Sequence, residues 1–304
     1  MTMLVSGWVA LDDIETPFAS AKGLLGGSAT PAAIAGALFT DVRVLAVIGE
    51  DFPPDLLADL DRPGIDLSGV QTIPGGKTSR WGARYSYDMN SRETWYPEQG
   101  VSLQYLPPLP PAWVDSSSAC LAAGHPHYQR DLLRGLDAPR ATLVDTIKLY
   151  IETQPDDLRE TMKVADFVTL NESEARELAH TPSIAAAGRT LVADGVRSII
   201  IKMGEFGAAL ISGEDYFVAP GYPLEEVVDP TGAGDAFAGG FIGYLDSVPE
   251  VTGREVRRAM IYASTVASFQ VEGFGPSRLL TLTRNEVEAR LRQFRELTHF
   301  EVDT

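Results

Sequence analysis

Short β-branched runs recur along the chain, and the stretches between many of them place apolar residues three and four apart. The runs MLVSGWV, DVRVLAVIG, ATLVD, ADFVTL and VRSIIIKMG predict strands. Between them, SATPAAIAGALF, QPDDLRETMKV, ESEARELA and SIAAAGRTLVADG predict helices. From about Asp137 the alternation is regular, which predicts βαβ units, a mostly parallel sheet and helices on both of its faces. Phe237, Phe241, Tyr244 and Leu245 fall on one face of a helix starting near Ala233. The stretch from Arg254 to Phe269 repeats the habit with Val256, Met260, Ala263 and Ala267.

Residues 67–105 break this rhythm. They are rich in Thr, Tyr and Trp, are interrupted by Gly-Gly and Asn, and lack helical periodicity, so they predict antiparallel strands and turns. Such an excursion inside an α/β chain reads as a small β lid, with part of 10–24 a further candidate for it. PPLPPAW, 107–113, reads as a stiff connector back to the main sheet. The expected architecture is one domain over 1–304: a three-layer α/β sandwich with a lid. Trp8 is expected in the core, early in the first strand.

Composition narrows the function. With 25 Lys and Arg against 42 Asp and Glu, the net charge of −17 repels phosphate backbones and argues against nucleic acid as a partner. The lone Cys120 cannot form an internal disulfide, which fits a reducing cytoplasm. The opening MTMLVSGWVALDD has no basic segment and meets Asp12 and Asp13 early, so it reads as a strand rather than a signal peptide. No run approaches the ~18 apolar residues of a membrane span. A soluble protein without a membrane partner is expected.

The chemistry concentrates in VVDPTGAGDAFAGGF, 227–241. If a helix begins near Ala233, the amides of Gly232, Ala233 and Gly234 belong to its unpaired first turn, where the dipole favours negative charge. Glycine lets a ligand approach the backbone closely, which suits a phosphoryl group. Asp235 on the same turn would then take the proton from an attacking hydroxyl. Taken alone, the segment reads rather as a helix start whose acid complements the dipole and whose glycines pack. A Walker loop is excluded by the absence of its lysine, and a dinucleotide fingerprint by the missing third glycine and the late position.

The nine residues Asp229 to Phe237 resemble the C-terminal signature of the ribokinase-like (PfkB) carbohydrate kinases. The resemblance extends over roughly residues 3–280. GWVALDD is similar to that family's first strand, which implies that Asp12 binds substrate hydroxyls; GGSATPAAIAGALF is similar to its first signature, with Gly26 and Gly27 admitting the substrate. Where the family usually has asparagine, this chain has Pro31, so one substrate hydrogen bond is missing. Ala10 likewise replaces a polar residue common in ribose-specific members. Together these departures weaken any claim to ribose bound in the usual way. NESEA supplies Asn171 and Glu174, implied to organise hydrated Mg²⁺ and the phosphates of ATP; the same residues read as a helix cap. IIIKMGEFGA implies a nucleotide-side turn with Lys202, Gly204 and Gly207. ASFQVEGFGPS implies an adenine-side loop, with Gly273, Gly275 and Ser277 as candidates. Asp229 and Thr231 beside it are implied to help hold a monovalent cation, K⁺.

Two further groups stand apart. His125 and His127 in GHPH follow the strand-like SACLAAG, and ligands in open α/β sheets bind beyond strand carboxyl ends, so a small-molecule substrate contact by His125 is expected. In the lid, Trp81 or Tyr85 can cover the substrate while Arg80, Arg84 or Arg92 meets its polar groups or the transferred phosphate. Those residues read equally as β-ribbon packing, with the exposed edge pairing a homodimer. The expected function is an ATP-dependent kinase acting on an alcohol of a sugar or polyol. A nucleoside kinase and a non-catalytic sugar or nucleotide sensor are the alternatives.

Overall fold

The computed structural model describes residues 1–299. Its strands are β1 (Thr2–Ser6), β2 (Ala10–Glu15), β3 (Ser20–Gly26), β4 (Asp41–Gly49), β5 (Ile65–Ile73), β6 (Arg80–Tyr85), β7 (Arg92–Glu98), β8 (Ser118–Leu121), β9 (Thr142–Asp145), β10 (Phe167–Asn171), β11 (Ile199–Lys202), β12 (Ala208–Ser212) and β13 (Asp215–Ala219). The helices are α1 (Ala29–Ala37), α2 (Pro54–Leu60), α3 (Pro126–Gly135), α4 (Lys148–Thr153), α5 (Pro155–Met162), α6 (Glu172–Ala179), α7 (Ile184–Ala193), α8 (Ala233–Ser247), α9 (Gly253–Gln270), α10 (Ser277–Thr281) and α11 (Arg284–Thr298).

Nine strands form the main sheet in the order β13-β12-β11-β10-β9-β8-β1-β4-β5. All neighbours from β11 to β5 pair parallel, and the last two pairs are antiparallel. The interior strands are apolar on both faces, Ile199 to Ile201 being fully buried, because helices cover both sides. One layer, with α1, α2, α8 and α9, packs over Met3, Val5 and Val44; the other, with α3, α5, α6 and α7, packs over Leu4, Leu121 and Val168. The three-layer expectation therefore holds.

Four strands form a second, small sheet in the order β3-β2-β6-β7. Its boundaries differ from those expected. Residues 65–73 are the outer strand of the main sheet, parallel to β4, and half of the small sheet comes from 10–26. The chain leaves β1 at Ser6, crosses Gly7, and enters the lid as β2, so Asp12 lies on a lid strand rather than at the end of the first main strand. At Gly7 a Cβ would lie 2.8 Å from the Ser28 hydroxyl, which ties that crossing to the start of α1. Trp8 is half-buried in the crossing, outside both strands. The lid has its own apolar centre, Ile14, Ala83 and Tyr85, with Leu24, Trp81 and Phe274 against it.

Strand order reverses at β1, which runs to β4 and β5 on one side and to β8 and β9 on the other. In open α/β sheets the crevice at such a reversal, beyond the strand carboxyl ends, is where ligands bind. Two helices are brought together there by missing side chains. A Cβ on Gly239 of α8 would collide with the Ala32 carbonyl of α1, and one on Gly243 would lie 2.9 Å from the Gly36 backbone. The close crossing sets the amino end of α8 beside the amino end of α1.

Candidate active site

Gly232 caps α8 with φ of 77°, a left-handed conformation that glycine adopts without strain. Its Cβ would press on Pro31 at 2.9 Å, so the proline packs against the glycine turn at this crossing. Ala233 and Gly234 follow as the first helical residues, with Asp235 on the same turn. Burial pushes the Asp235 carboxyl up to about 8, the Asp145 charge adding to the rise while Lys202 opposes it. Lys202, at the end of β11, donates to Asp145 Oδ2 at 2.6 Å. Its Nζ also lies 3.0 Å from where a Gly234 Cβ would stand, so a side chain there would press on the ammonium against this turn. Burial would lower Lys202, but Asp145 and Asp235 together hold it above the ordinary lysine range.

Asp12 faces the same place from the lid. Its carboxylate sits against Gly26, where any Cβ would collide with it, and Oδ2 accepts from the Gly27 amide at 3.4 Å. Oδ1 is buried without a partner. Burial pushes this carboxyl up to about 7; the Gly27 amide opposes the rise, and the charges of Asp229 and Asp13 add to it. An acid with an orphaned buried oxygen beside two glycines is chemically ready to accept a hydrogen bond from a ligand hydroxyl.

The nucleotide-side residues assemble around Lys202. Asn171 and Glu174 form the expected capping box of α6, each side chain meeting the other's backbone amide at 2.9 Å. Burial pushes Glu174 up to about 7, with Lys202 opposing and Asp145 adding. Gly204 and Gly207 form the turn between β11 and β12, both at positive φ. Asp229 is fully buried and accepts from the amides of Thr231 at 2.9 Å and Gly275 at 3.0 Å. Gln270 donates to the carbonyls of Thr231 and Gly275, so these groups knit the loop around Gly275 to the glycine turn.

The lid reaches this cluster. The Tyr85 hydroxyl meets Thr231 Oγ1 at 3.0 Å, and Arg92 donates to Tyr85 at 3.4 Å, its guanidinium 5.5 Å from the Trp81 ring centre. Arg92 makes no ion pair among the described residues, yet its charge acts on Glu174, Asp229 and Asp235. Arg84, by contrast, pairs with Glu15. His125 lies at the start of α3, with its ring 5.4 Å from Tyr150.

Sequence reasoning missed Asp145. The signal was present: ATLVD ends an apolar strand on an acid, and that end opens on the ligand crevice. Tyr150 and Gln129 carried no such signal.

The Ala233 amide, expected to be open, turns to the Pro230 carbonyl at 3.3 Å, while the half-buried Asp235 and Lys202 stand against the same turn of a ribokinase-like fold. The chain belongs to the pfkB family of carbohydrate kinases, whose family model matches residues 19–282. Over 260 residues it is 34% identical to the cytidine kinase of Thermococcus kodakarensis, covering 82% of this chain and 90% of that protein. Among solved structures, the nucleoside kinase of Burkholderia thailandensis in complex with inosine superposes with a TM-score of 0.75 at 22% identity, over 96% of this chain and 97% of the other. The ribokinase of Arabidopsis thaliana complexed with ribose and ATP gives 0.77 at 20% identity, over 95% and 98%. The chain is thus a member of a kinase family.

Proposed function

We propose that this kinase transfers the γ-phosphoryl group of ATP to a hydroxymethyl group of a nucleoside. The observation that carries the chemistry is the placement of Asp235 on the open first turn of α8, with Lys202 against Gly234. The acceptor O–H gives its proton to the Asp235 carboxylate, the oxygen attacks the γ-phosphorus, and the bond to the β–γ bridging oxygen breaks to release ADP. The amides of Gly232 and Gly234 stabilise charge on the transferring group, the Ala233 amide being taken by the Pro230 carbonyl, and Lys202 and Arg92 offset that charge. Asp12 and Gly27 hold the acceptor's hydroxyls, while the lid, joined to the glycine turn through Tyr85 and Thr231, excludes water.

Glu174, whose Oε2 takes the Asn171 amide, lies within the field of Lys202 and Asp145, and a hard carboxylate of this kind suits a hydrated Mg²⁺ held through waters. Bound Mg²⁺ would neutralise phosphate charge. Both Asp229 oxygens are engaged by backbone amides, which gives that carboxylate a structural task. None of the proposed steps uses a monovalent cation there.

A nucleoside is favoured over a free sugar by one observation. The relative covering most of the chain at 34% identity is a cytidine kinase. ADP release measured with Mg²⁺-ATP against nucleosides, pentoses, hexoses and cyclitols tests the reading. Turnover confined to nucleosides is expected; turnover of free sugars alone would replace it with the sugar kinase reading.

A further inference from the structure

Unpartnered buried polar atoms are costly, roughly 1–3 kcal/mol each, and in folded proteins they are few. Here they are not scattered. Of the eight such side-chain atoms among the described residues, five belong to residues set where β8 and β9 end: Ser102 Oγ, His125 Nε2, Gln129 Oε1, Thr146 Oγ1 and Tyr150 OH. Ser102 is on the segment returning from the lid, His125 and Gln129 open α3, Thr146 follows β9, and Tyr150 lies in the first turn of α4. The place is continuous with the acceptor acid. The Ser28 hydroxyl, next to Gly27, donates to the Ala123 carbonyl at 3.0 Å, two residues before His125.

The polarity of two of these atoms can be assigned. Gln129 Nε2 is committed to the carbonyls of Leu121, Ala122 and Asp145, at 3.3, 2.9 and 2.9 Å, which fixes the amide and leaves Oε1 as an acceptor. Burial lowers His125, helped by His127 and opposed by the Leu103 carbonyl, so the imidazole is neutral. Nε2 has no partner, and a neutral ring that carries its proton on Nδ1 presents Nε2 as an acceptor too. The ring of Tyr150 beside His125 supplies an aromatic wall, and its hydroxyl, like those of Thr146 and Ser102, can donate or accept.

Resting on the nucleoside reading, we propose that this cluster is the subsite for the acceptor's nucleobase. Its two acceptors, Gln129 Oε1 and His125 Nε2, select a base bearing an exocyclic amine, and its hydroxyls donate to the ring nitrogen beside that amine. Cytidine and adenosine then bind better than uridine and inosine, which present a carbonyl oxygen where an N–H₂ group is wanted.

The test uses the intact enzyme with Mg²⁺-ATP, the four nucleosides, and Tyr150→Phe and His125→Phe beside wild type. Wild type is expected to favour the amine-bearing member of each pair about tenfold or more in kcat/KM, the loss expected for a buried acceptor facing an oxygen. Tyr150→Phe removes only an orphaned hydroxyl. It should raise KM for the preferred nucleoside several-fold, leave kcat near wild type, and leave the thermal midpoint unchanged or higher. A lowered midpoint with unchanged KM would assign the hydroxyl to the fold and overturn the subsite. Should nucleosides turn over with no preference for the amine and no response to either variant, the subsite is wrong while the nucleoside reading survives. If no nucleoside is phosphorylated but a sugar is, both fall together.

Discussion

Asp235→Asn should make the ligand-free protein more stable at alkaline pH and leave it unchanged at acid pH. In the empty site burial holds the Asp235 carboxyl at about 8, against 3.8 for an ordinary aspartate. Between those values the folded state keeps a proton that the unfolded chain has released, so stability falls as pH rises through that window. For an isolated group the cost at the alkaline end would be about 6 kcal/mol. Asp145 and Asp12 share the same field, and Lys202 and Arg92 answer it, so part of that cost is spread over neighbours. A gain of about 2 kcal/mol for the variant near pH 9, shrinking through the window to nothing near pH 3, is the expected size. For a chain of this length that is several degrees in melting midpoint, about 4 °C or more. Urea unfolding or calorimetry of both proteins without nucleotide or metal reads the difference directly. Equal stabilities at both pH values, or a variant less stable near pH 9, would refute a buried, proton-holding carboxylate at this position.

Three other outcomes are expected. Gly239→Ala drives a methyl into the Ala32 carbonyl and should cost about 2 kcal/mol or more in urea unfolding, by prying α8 from α1. Lys202→Met leaves Asp145, 3% exposed, without its cation. It should destabilise the fold by about 3 kcal/mol and weaken ATP binding in calorimetric titration, while Lys202→Arg retains part of both. Tyr85→Phe cuts the lid's tie to Thr231, and should raise ATP hydrolysis without acceptor relative to phosphoryl transfer, measured as ADP formed per phosphorylated product.

The main sheet was legible because its signals are local. Runs such as VRSIIIKMG and helices such as ESEARELA carry their own periodicity and caps, and the structure places them within a few residues of expectation. The lid was harder because its pairing is not local. GWVALDD reads as one strand, yet the chain turns at Gly7 and pairs Asp12 with Trp81, about seventy positions on, a choice no window of sequence displays. Residues 65–73 look like their lid neighbours in composition, and only pairing with β4 assigns them to the main sheet. In the site, the glycine turn and Asp235 were evident from one stretch. Asp145 and the Tyr85–Thr231 tie were not, since each matters through a partner far along the chain. The orphaned atoms at Gln129 and Tyr150 are visible only once burial is known.

The central claim is that Asp235 takes the acceptor's proton at the open end of α8. Single-turnover phosphoryl transfer by Asp235→Asn, with folding checked and ATP affinity measured alongside, tests it most directly. The predicted result is a rate lower by about 10³-fold or more with nucleotide binding within a few-fold of wild type. Transfer by the variant at a rate close to wild type, on the same acceptor, would contradict it.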